Sequence, residues 1–282
     1  MGKQKRSENT YQKINTLYKR DDNNIIMQHY EWVSPEFEYL RPLLWDATEK
    51  IDGTNIRIEV TSKIVYNNHI EPNIILGVEF NMVVKGKTDN SKIPPQLDKY
   101  MKETFTETKV YNALGIKKFI PIDEWVEHNW VLSNEDPTPD ESKIPKMYTI
   151  YGEGYGMKIQ KCGGRYLSDK VSFIGFDVKV NDLYLLRDNA IEIFNKLGCD
   201  TVPYFGQMTI DEAIEMVRNG FISTISEDRT LMAEGLVLSS PLGLKNRRGE
   251  RLIVKIKYID FVKYRNKYGT DDKVEQTPNP KL

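Results

Sequence analysis

The chain is poor in the residues that build the commonest chemical sites. Its 282 residues include only two cysteines and three histidines. Cys162 and Cys199 lie far apart and match no metal-ligand spacing. Neither a disulfide scaffold nor a cysteine zinc site is expected, and so sparse a usage suits a reducing compartment. His29, His69 and His128 are scattered, which argues against a histidine zinc site and a histidine-driven triad. An excess of either charge is missing too: 40 Lys and Arg face 41 Asp and Glu, for a formal net charge of -1. The chain is therefore no bulk polycation, and nucleic acid would have to meet positive charge gathered on one face. No apolar run approaches the roughly 18 residues of a membrane span. The start, MGKQKRSENTYQK, has basic residues but no apolar stretch of a secretory signal. A cytoplasmic protein without membrane contact is the expectation. No repeat with a period of about 20 to 50 residues is visible.

What is there reads as a globular chain with a mixed core, 39% hydrophobic and 29% charged. IRIEV, after EKIDGTN, alternates and is β-branched, so it predicts a strand. HIEPNIILGVEFNMVVKGK reads as two further strands, broken at LG and ended at KGK. PPQLDKYMKETFTE predicts a helix opened by prolines, and VLSNEDPTPDESKIPK, residues 131–146, a surface loop. YTIYGEGYG predicts a strand entering a glycine-rich turn, and VSFIGFDVKVNDLYLL a hairpin turning at VND. RDNAIEIFNKLG reads as a helix closed by Gly198. MTIDEAIEMVRNG reads as another, capped by Thr209, boxed by Glu212 and stopped at Gly220. AEGLVLSS predicts a strand, PLGLKNRRGER a basic hairpin loop, and LIVKIKYIDFVKY a strand or strand pair. Strands dominate, and helices are interspersed without strict βαβ alternation. The fold class is therefore α+β, with mainly antiparallel sheets flanked by helices.

The residues that could carry chemistry are few. Lys50 sits with Asp52, Gly53 and Asn55 at the entry of the IRIEV strand; all four types also suit an ordinary surface turn. As a nucleophile Lys50 would need a neutral amine. An ordinary lysine, with a pKa of about 10.4, is only about 0.1% neutral near pH 7.5, a penalty of roughly 4 kcal/mol. Nearby cations and burial reduce it. Lys255 and Lys257 are candidate cations, and their i, i+2 spacing puts both on one strand face. Glu153 is bracketed by Gly152, Gly154 and Gly156, which allow close backbone approach to a ligand. The string YGEGYG is neither a dinucleotide fingerprint nor a P-loop. Glu234 enters an apolar strand, and Phe176 beside Asp177 in FIGFDV could present a flat ring. Singly, each has an ordinary structural reading.

Their order is more specific. EKIDGTN, YGEGYG, FIGFDV, AEGLVL and VKIKY, in that sequence, resemble the collinear motifs of the covalent nucleotidyltransferases, the superfamily of ATP-dependent ligases and mRNA capping enzymes. The resemblance spans roughly residues 10 to 262. Glu49 before the lysine, and Ile159, Gln160 and Lys161 in YGEGYGMKIQK, are similar to the RNA ligase 2 family common in phages.

The resemblance implies an adenylyltransferase (ATP-grasp-like ligase) core over residues 10–266, a flexible stretch at 1–9 and a polar tail at 267–282 with no separate C-terminal domain. It implies that Lys50 takes AMP from ATP, passes it to an RNA 5′-phosphate, and that a 3′-OH then seals the break. Glu49 would meet the adenine edge, Glu153 a ribose hydroxyl and Phe176 the adenine face. Glu234 would help hold Mg²⁺ or Mn²⁺. Lys255 and Lys257 would neutralise the α-phosphate, and Asn55 would position the phosphate being sealed. Asp52 and Asp177 would support them. RNA with 5′-phosphate and 3′-OH ends, including nicked duplex, and ATP are the expected partners of a monomer, in the cytoplasm of a cell or phage-infected host. Two departures stand out. Where the family has an arginine, MVVKGKTDN offers Lys85 and Lys87, which lack the bidentate fork. Only 25 residues (282 minus 257) follow Lys257, too few for a further domain of ordinary size. A small DNA ligase with the same site, and a degenerate ligase fold that only binds RNA, are the alternatives.

Overall fold

The computed structural model describes residues 10–67, 74–121, 124 and 147–269. The expected flexible start, the loop at 131–146, His69, His128 and the tail beyond Gly269 lie outside these residues. The chain divides into two compact units, Met1–Tyr11 with Asp52–Val202, and Gln12–Ile51 with Pro203–Leu282.

The first unit is built on a six-stranded sheet ordered β5-β4-β3-β6-β7-β8, formed by β3 (Thr54–Asn67), β4 (Ile74–Gly86), β5 (Phe119–Pro121), β6 (Met147–Gly156), β7 (Val171–Val180) and β8 (Leu183–Tyr184). Every ladder in it is antiparallel. One sheet face carries Ile56, Ile58, Val60, Ile150, Phe173 and Val178. They are buried with Leu97 and Met101 of α2 (Pro95–Thr104), Val110 of α3 (Glu107–Leu114) and Phe194 of α5 (Arg187–Lys196). A short α4 (Gly163–Tyr166) follows β6. The prolines do open α2, and Asn181, with φ 51°, turns the β7–β8 hairpin as VND predicts.

Two readings change here. β4 is one strand, not two, because Gly77 stays in the ladder where β5 crosses it; a Cβ there would lie 2.3 Å from the Ile120 carbonyl oxygen. YGEGYG is strand rather than turn. Gly152 and Gly154 face the core, where a Cβ would meet the Phe173 ring at 2.2 Å and Leu97 at 2.3 Å. The charged residues of IRIEV, Arg57 and Glu59, are both buried.

The second unit holds a five-stranded sheet ordered β1-β11-β10-β2-β9, from β1 (Asn15–Thr16), β2 (Trp45–Glu49), β9 (Tyr204–Met208), β10 (Gly235–Ser239) and β11 (Ile253–Lys257). Its one parallel ladder is β1 with β11. Trp45, Ala47, Leu236, Leu238, Val254 and Ile256 form the apolar face. Against it pack Phe37 of α1 (Pro35–Tyr39), Ile210, Ala213, Ile214 and Val217 of α6 (Ile210–Asn219), and Phe261 and Tyr264 of α7 (Tyr258–Tyr268). The four α6 residues fall at i, i+3, i+4 and i+7, one face of a helix. The Thr209–Glu212 capping box starts that helix as the sequence predicts. The second half of LIVKIKYIDFVKY is α7 rather than strand. Its aromatics favour strands by propensity, but Phe261, Tyr264 and Tyr268 fall at helical spacing, and burying them decides the matter. The architecture is α+β with mainly antiparallel sheets.

Candidate active site on two polar sheet faces

In the second unit, alternation along β11 turns Val254 and Ile256 into the core and Lys255 and Lys257 to the opposite face. Glu234 immediately precedes β10. Gly235, next to it, has φ 144°, and a Cβ there would lie 1.9 Å from the Ile256 carbonyl oxygen, so only glycine lets β10 run this close to β11. The Lys50 amide donates to the Gly235 carbonyl at 2.9 Å, which fixes the end of β2 beside Glu234. The Glu234 carboxylate then takes one lysine on each oxygen, Lys50 at 2.5 Å and Lys257 at 2.5 Å. The Lys255 ammonium has no hydrogen bond or ion pair among the described residues, although its backbone carbonyl accepts from the Leu17 amide at 3.0 Å. Three ammonium groups thus share one carboxylate.

The electrostatics follow. Burial alone would raise the Glu234 carboxyl, but the Lys50 charge and the hydrogen bonds from Lys257 and Lys50 outweigh it and hold it below its ordinary value. Lys255 is pushed down to about 8, first by burial and then by the charges of Lys50 and Lys257. Arg20 adds to that field while ion-paired with Asp260.

Glu49 is placed differently. It precedes Lys50 on β2 and shares the core face with Trp45 and Ala47, 1% exposed. One oxygen accepts from the Ser223 hydroxyl. The other accepts from the Thr224 amide at 3.0 Å and its hydroxyl at 2.7 Å. Nothing in the sequence around Ser223 and Thr224 marks them as partners of Glu49.

In the first unit, the face opposite the apolar core gathers Asn55, Lys85, Glu153, Phe176 and Asp177. Asn55 lies directly across from Glu153. Asn55 Oδ1 is buried with no hydrogen-bond partner among the described residues, an acceptor left open. Phe176 owes its place to a bulge. Tyr151 pairs with Asp177 and Gly152 with Gly175, so Phe176 is the extra residue, and its half-exposed side chain joins that of Asp177 on the polar face. Tyr11 donates its hydroxyl to Asp177 and sets its ring 5.0 Å from that of Phe176. Asp52 receives local support, its amide donating to the Tyr166 hydroxyl at 3.3 Å.

Sequence reasoning missed the charged network beside them. Arg57 binds Glu59 at 2.6 Å, the Gly86 carbonyl and Asp89. Lys85 bridges Glu59 at 2.8 Å and Asp89 at 3.3 Å, and these partners, against the opposing effect of burial, raise it above the ordinary lysine value. The hint was available: opposite charges two apart in an apolar strand. Lys87 is exposed and carries no ion pair among the described residues.

Among the described residues no three His, Cys, Asp or Glu side chains come together as a metal cage. Glu234 alone suits a Mg²⁺ or Mn²⁺ ion that takes most of its ligands from phosphate and water.

A two-sheet α+β chain with a lysine at the mouth of one sheet, held by a strand-entry glutamate beside two strand lysines, has the make-up of a covalent nucleotidyltransferase. The model of the RNA ligase family matches residues 44–257, and the chain belongs to that family. In solved structures it is similar to the RNA ligase of Naegleria gruberi. A lysine-to-alanine variant of that enzyme with ATP and Mn aligns with TM-score 0.50 and 13% identity, over 81% of this chain and 54% of that one. An aspartate-to-alanine variant without nucleotide aligns with TM-score 0.48 and 14% identity, over 94% and 64%. The chain thus spans about half to two thirds of the length of those proteins. No curated protein matches it.

Proposed function

We propose that the protein is an ATP-dependent RNA ligase working through a lysyl-AMP intermediate on Lys50. The observation that carries this reading is the uncompensated charge on the second unit's polar face: three lysines, one glutamate, and Lys255 partly buried without a partner. Holding positive charge half out of water is costly, and a polyanion such as a triphosphate relieves that cost.

The Lys50 amine attacks the α-phosphorus of ATP. A P–N bond forms, the bond to pyrophosphate breaks, and the lysine gives up a proton. An oxygen of the RNA 5′-phosphate next attacks the same phosphorus and releases Lys50. The 3′-OH then attacks the activated 5′-phosphorus, and AMP leaves. Lys255 and Lys257 are assigned to offset negative charge growing on the α-phosphate, the electrostatic contribution that dominates such transfers. While Glu234 grips Lys50 the amine is not free to attack, so the first step requires that contact to be exchanged. Glu234 would help hold a divalent ion arriving with the nucleotide, which would supply further shielding of phosphate charge.

In the first unit, Glu153 is assigned a ribose hydroxyl, Phe176 the adenine face, and Asn55, with its open acceptor, the phosphate being sealed. Asp177 and Tyr11 steady Phe176. Of the two candidates for the arginine role, Lys87 is favoured, since Lys85 is committed to Glu59 and Asp89. Glu49 is assigned the adenine edge by family resemblance, yet its carboxylate would have to give up three hydrogen bonds to reach a base.

The test is incubation with α-labelled ATP and Mg²⁺. The label becomes attached to the protein, is released by acid and resists base, and is absent in Lys50→Ala. An unlabelled wild-type protein refutes the reading. Matched nicked RNA, DNA and hybrid duplexes then separate RNA from DNA ligase; sealing of all-DNA nicks alone would replace the RNA assignment.

A further inference from the structure

Resting on the ligase reading, we propose that the hairpin joining β10 to β11 is a grip for the RNA phosphate backbone, with Arg247 and Arg248 as its contacts. The hairpin is a built element. Leu252 donates its amide to the Leu244 carbonyl at 2.8 Å, and Lys245 bridges to Arg251. At the tip the Asn246 side-chain oxygen accepts from the amides of Arg248 at 2.9 Å and Glu250 at 3.0 Å, and Gly249 closes the turn with φ 77°. The Asn246 side chain therefore fixes the conformation that carries the two arginines outward.

Both arginines are exposed, and neither has an ion pair among the described residues. The acid inside the tip, Glu250, is engaged by the neutral Asn246 amide at 2.8 Å. Glu36 of α1 feels the charge of both arginines, but its carboxyl is held down first by the Ser34 hydroxyl. From Lys245 to Arg251 four cations stand against one anion, in a chain whose formal net charge is -1. Local positive charge of this kind is what a backbone contact requires. Leu242, 80% exposed on the same hairpin, adds an apolar surface beside it.

The position suits a grip rather than chemistry. β10 has Glu234 at one end and the hairpin at the other, and its five residues separate them. At about 3.4 Å per residue that is roughly 17 Å. A nucleic-acid strand advances about 3.4 Å per nucleotide, so the base of the hairpin is about five nucleotides' length from Glu234, and the two arginines are on the loop beyond it.

The experiment measures binding of a 5′-phosphorylated nicked RNA duplex between about 50 and 200 mM salt, for the full-length wild type, the double variant Arg247→Ala/Arg248→Ala, and Arg247→Lys/Arg248→Lys. The double alanine variant binds about tenfold more weakly at the lower salt, and its log–log salt slope falls by about 1 to 2, near one per phosphate contact. The lysine variant retains most of the slope. Self-adenylylation with labelled ATP is unchanged in all three. Unchanged RNA affinity and slope in the alanine variant overturn the proposal. A wild type that never self-adenylylates refutes the ligase reading instead, whatever the binding curves show.

Discussion

The two units treat buried charge in opposite ways. In the first, Arg57 and Lys85 face Glu59 and Asp89, two cations against two anions. In the second, Lys50, Lys255 and Lys257 face Glu234 alone. Balance makes the first set self-sufficient, since every buried group has a partner and a ligand would have to displace one. Imbalance leaves the second set strained until an anion arrives. Reactive groups are commonly found where charge is left uncompensated, so the count of charges on each face separates scaffold from chemistry better than the presence of charge does.

That contrast can be broken in four ways. Replacing Arg57 with Met leaves Glu59 buried and short of its partner, and should cost about 3–5 kcal/mol, read by urea denaturation; a change below about 1 kcal/mol would mean the network is not needed for stability. Replacing Glu234 with Gln removes the one anion among three lysines, and self-adenylylation should fall on the order of 100- to 1000-fold. If labelled ATP is incorporated at the wild-type rate, the carboxylate is not part of the site. Changing Glu49 to Ala strands the Ser223 and Thr224 donors and should cost about 1–3 kcal/mol. A normal Km for ATP in that variant would assign Glu49 to the loop it holds, and a large rise would assign it to the nucleotide.

The smallest effect concerns pH. Lys255 is pushed from an ordinary value of 10.5 to about 8 in the folded protein. Between those values the unfolded chain still binds the proton and the folded one has released it, so this group's contribution to stability rises with pH across that window. Below about 8 both states are charged and the group is a constant cost. Lys255→Met should therefore be more stable than wild type at pH 7 while losing adenylylation, a trade of stability for function. Its advantage in Tm should shrink from pH 8 to 10. A difference that stays flat with pH would show that Lys255 is not desolvated as described.

Several features were legible beforehand because their causes are local. Thr209 and Glu212 form a capping box whatever surrounds them, and the β-branched alternation of IRIEV makes a strand in most contexts. The ordered motifs around Lys50, Glu153, Phe176, Glu234, Lys255 and Lys257 pointed to the family that the match over residues 44–257 shows. What failed was non-local. YIDFVKY became a helix because Phe261 and Tyr264 found a core to fill. YGEGYG stayed a strand because Phe173 and Leu97 occupy the space of the missing side chains.

The sequence by itself thus determined the α+β class, the helix caps, the nucleophile candidate and the residues that accompany it. Each depends on neighbours in the chain or on motif order. Only the tertiary structure decided that Glu234 takes Lys50 and Lys257 on its two oxygens, that Lys255 is left without a partner, that a bulge turns out Phe176, and that Glu49 is spent on Ser223 and Thr224. Glu234 lies 184 positions from Lys50, and Glu49 lies 174 from Ser223; strand register brings the ends of β2, β10 and β11 together. Register is set by which apolar faces can be buried together, a property that no single segment of the chain contains.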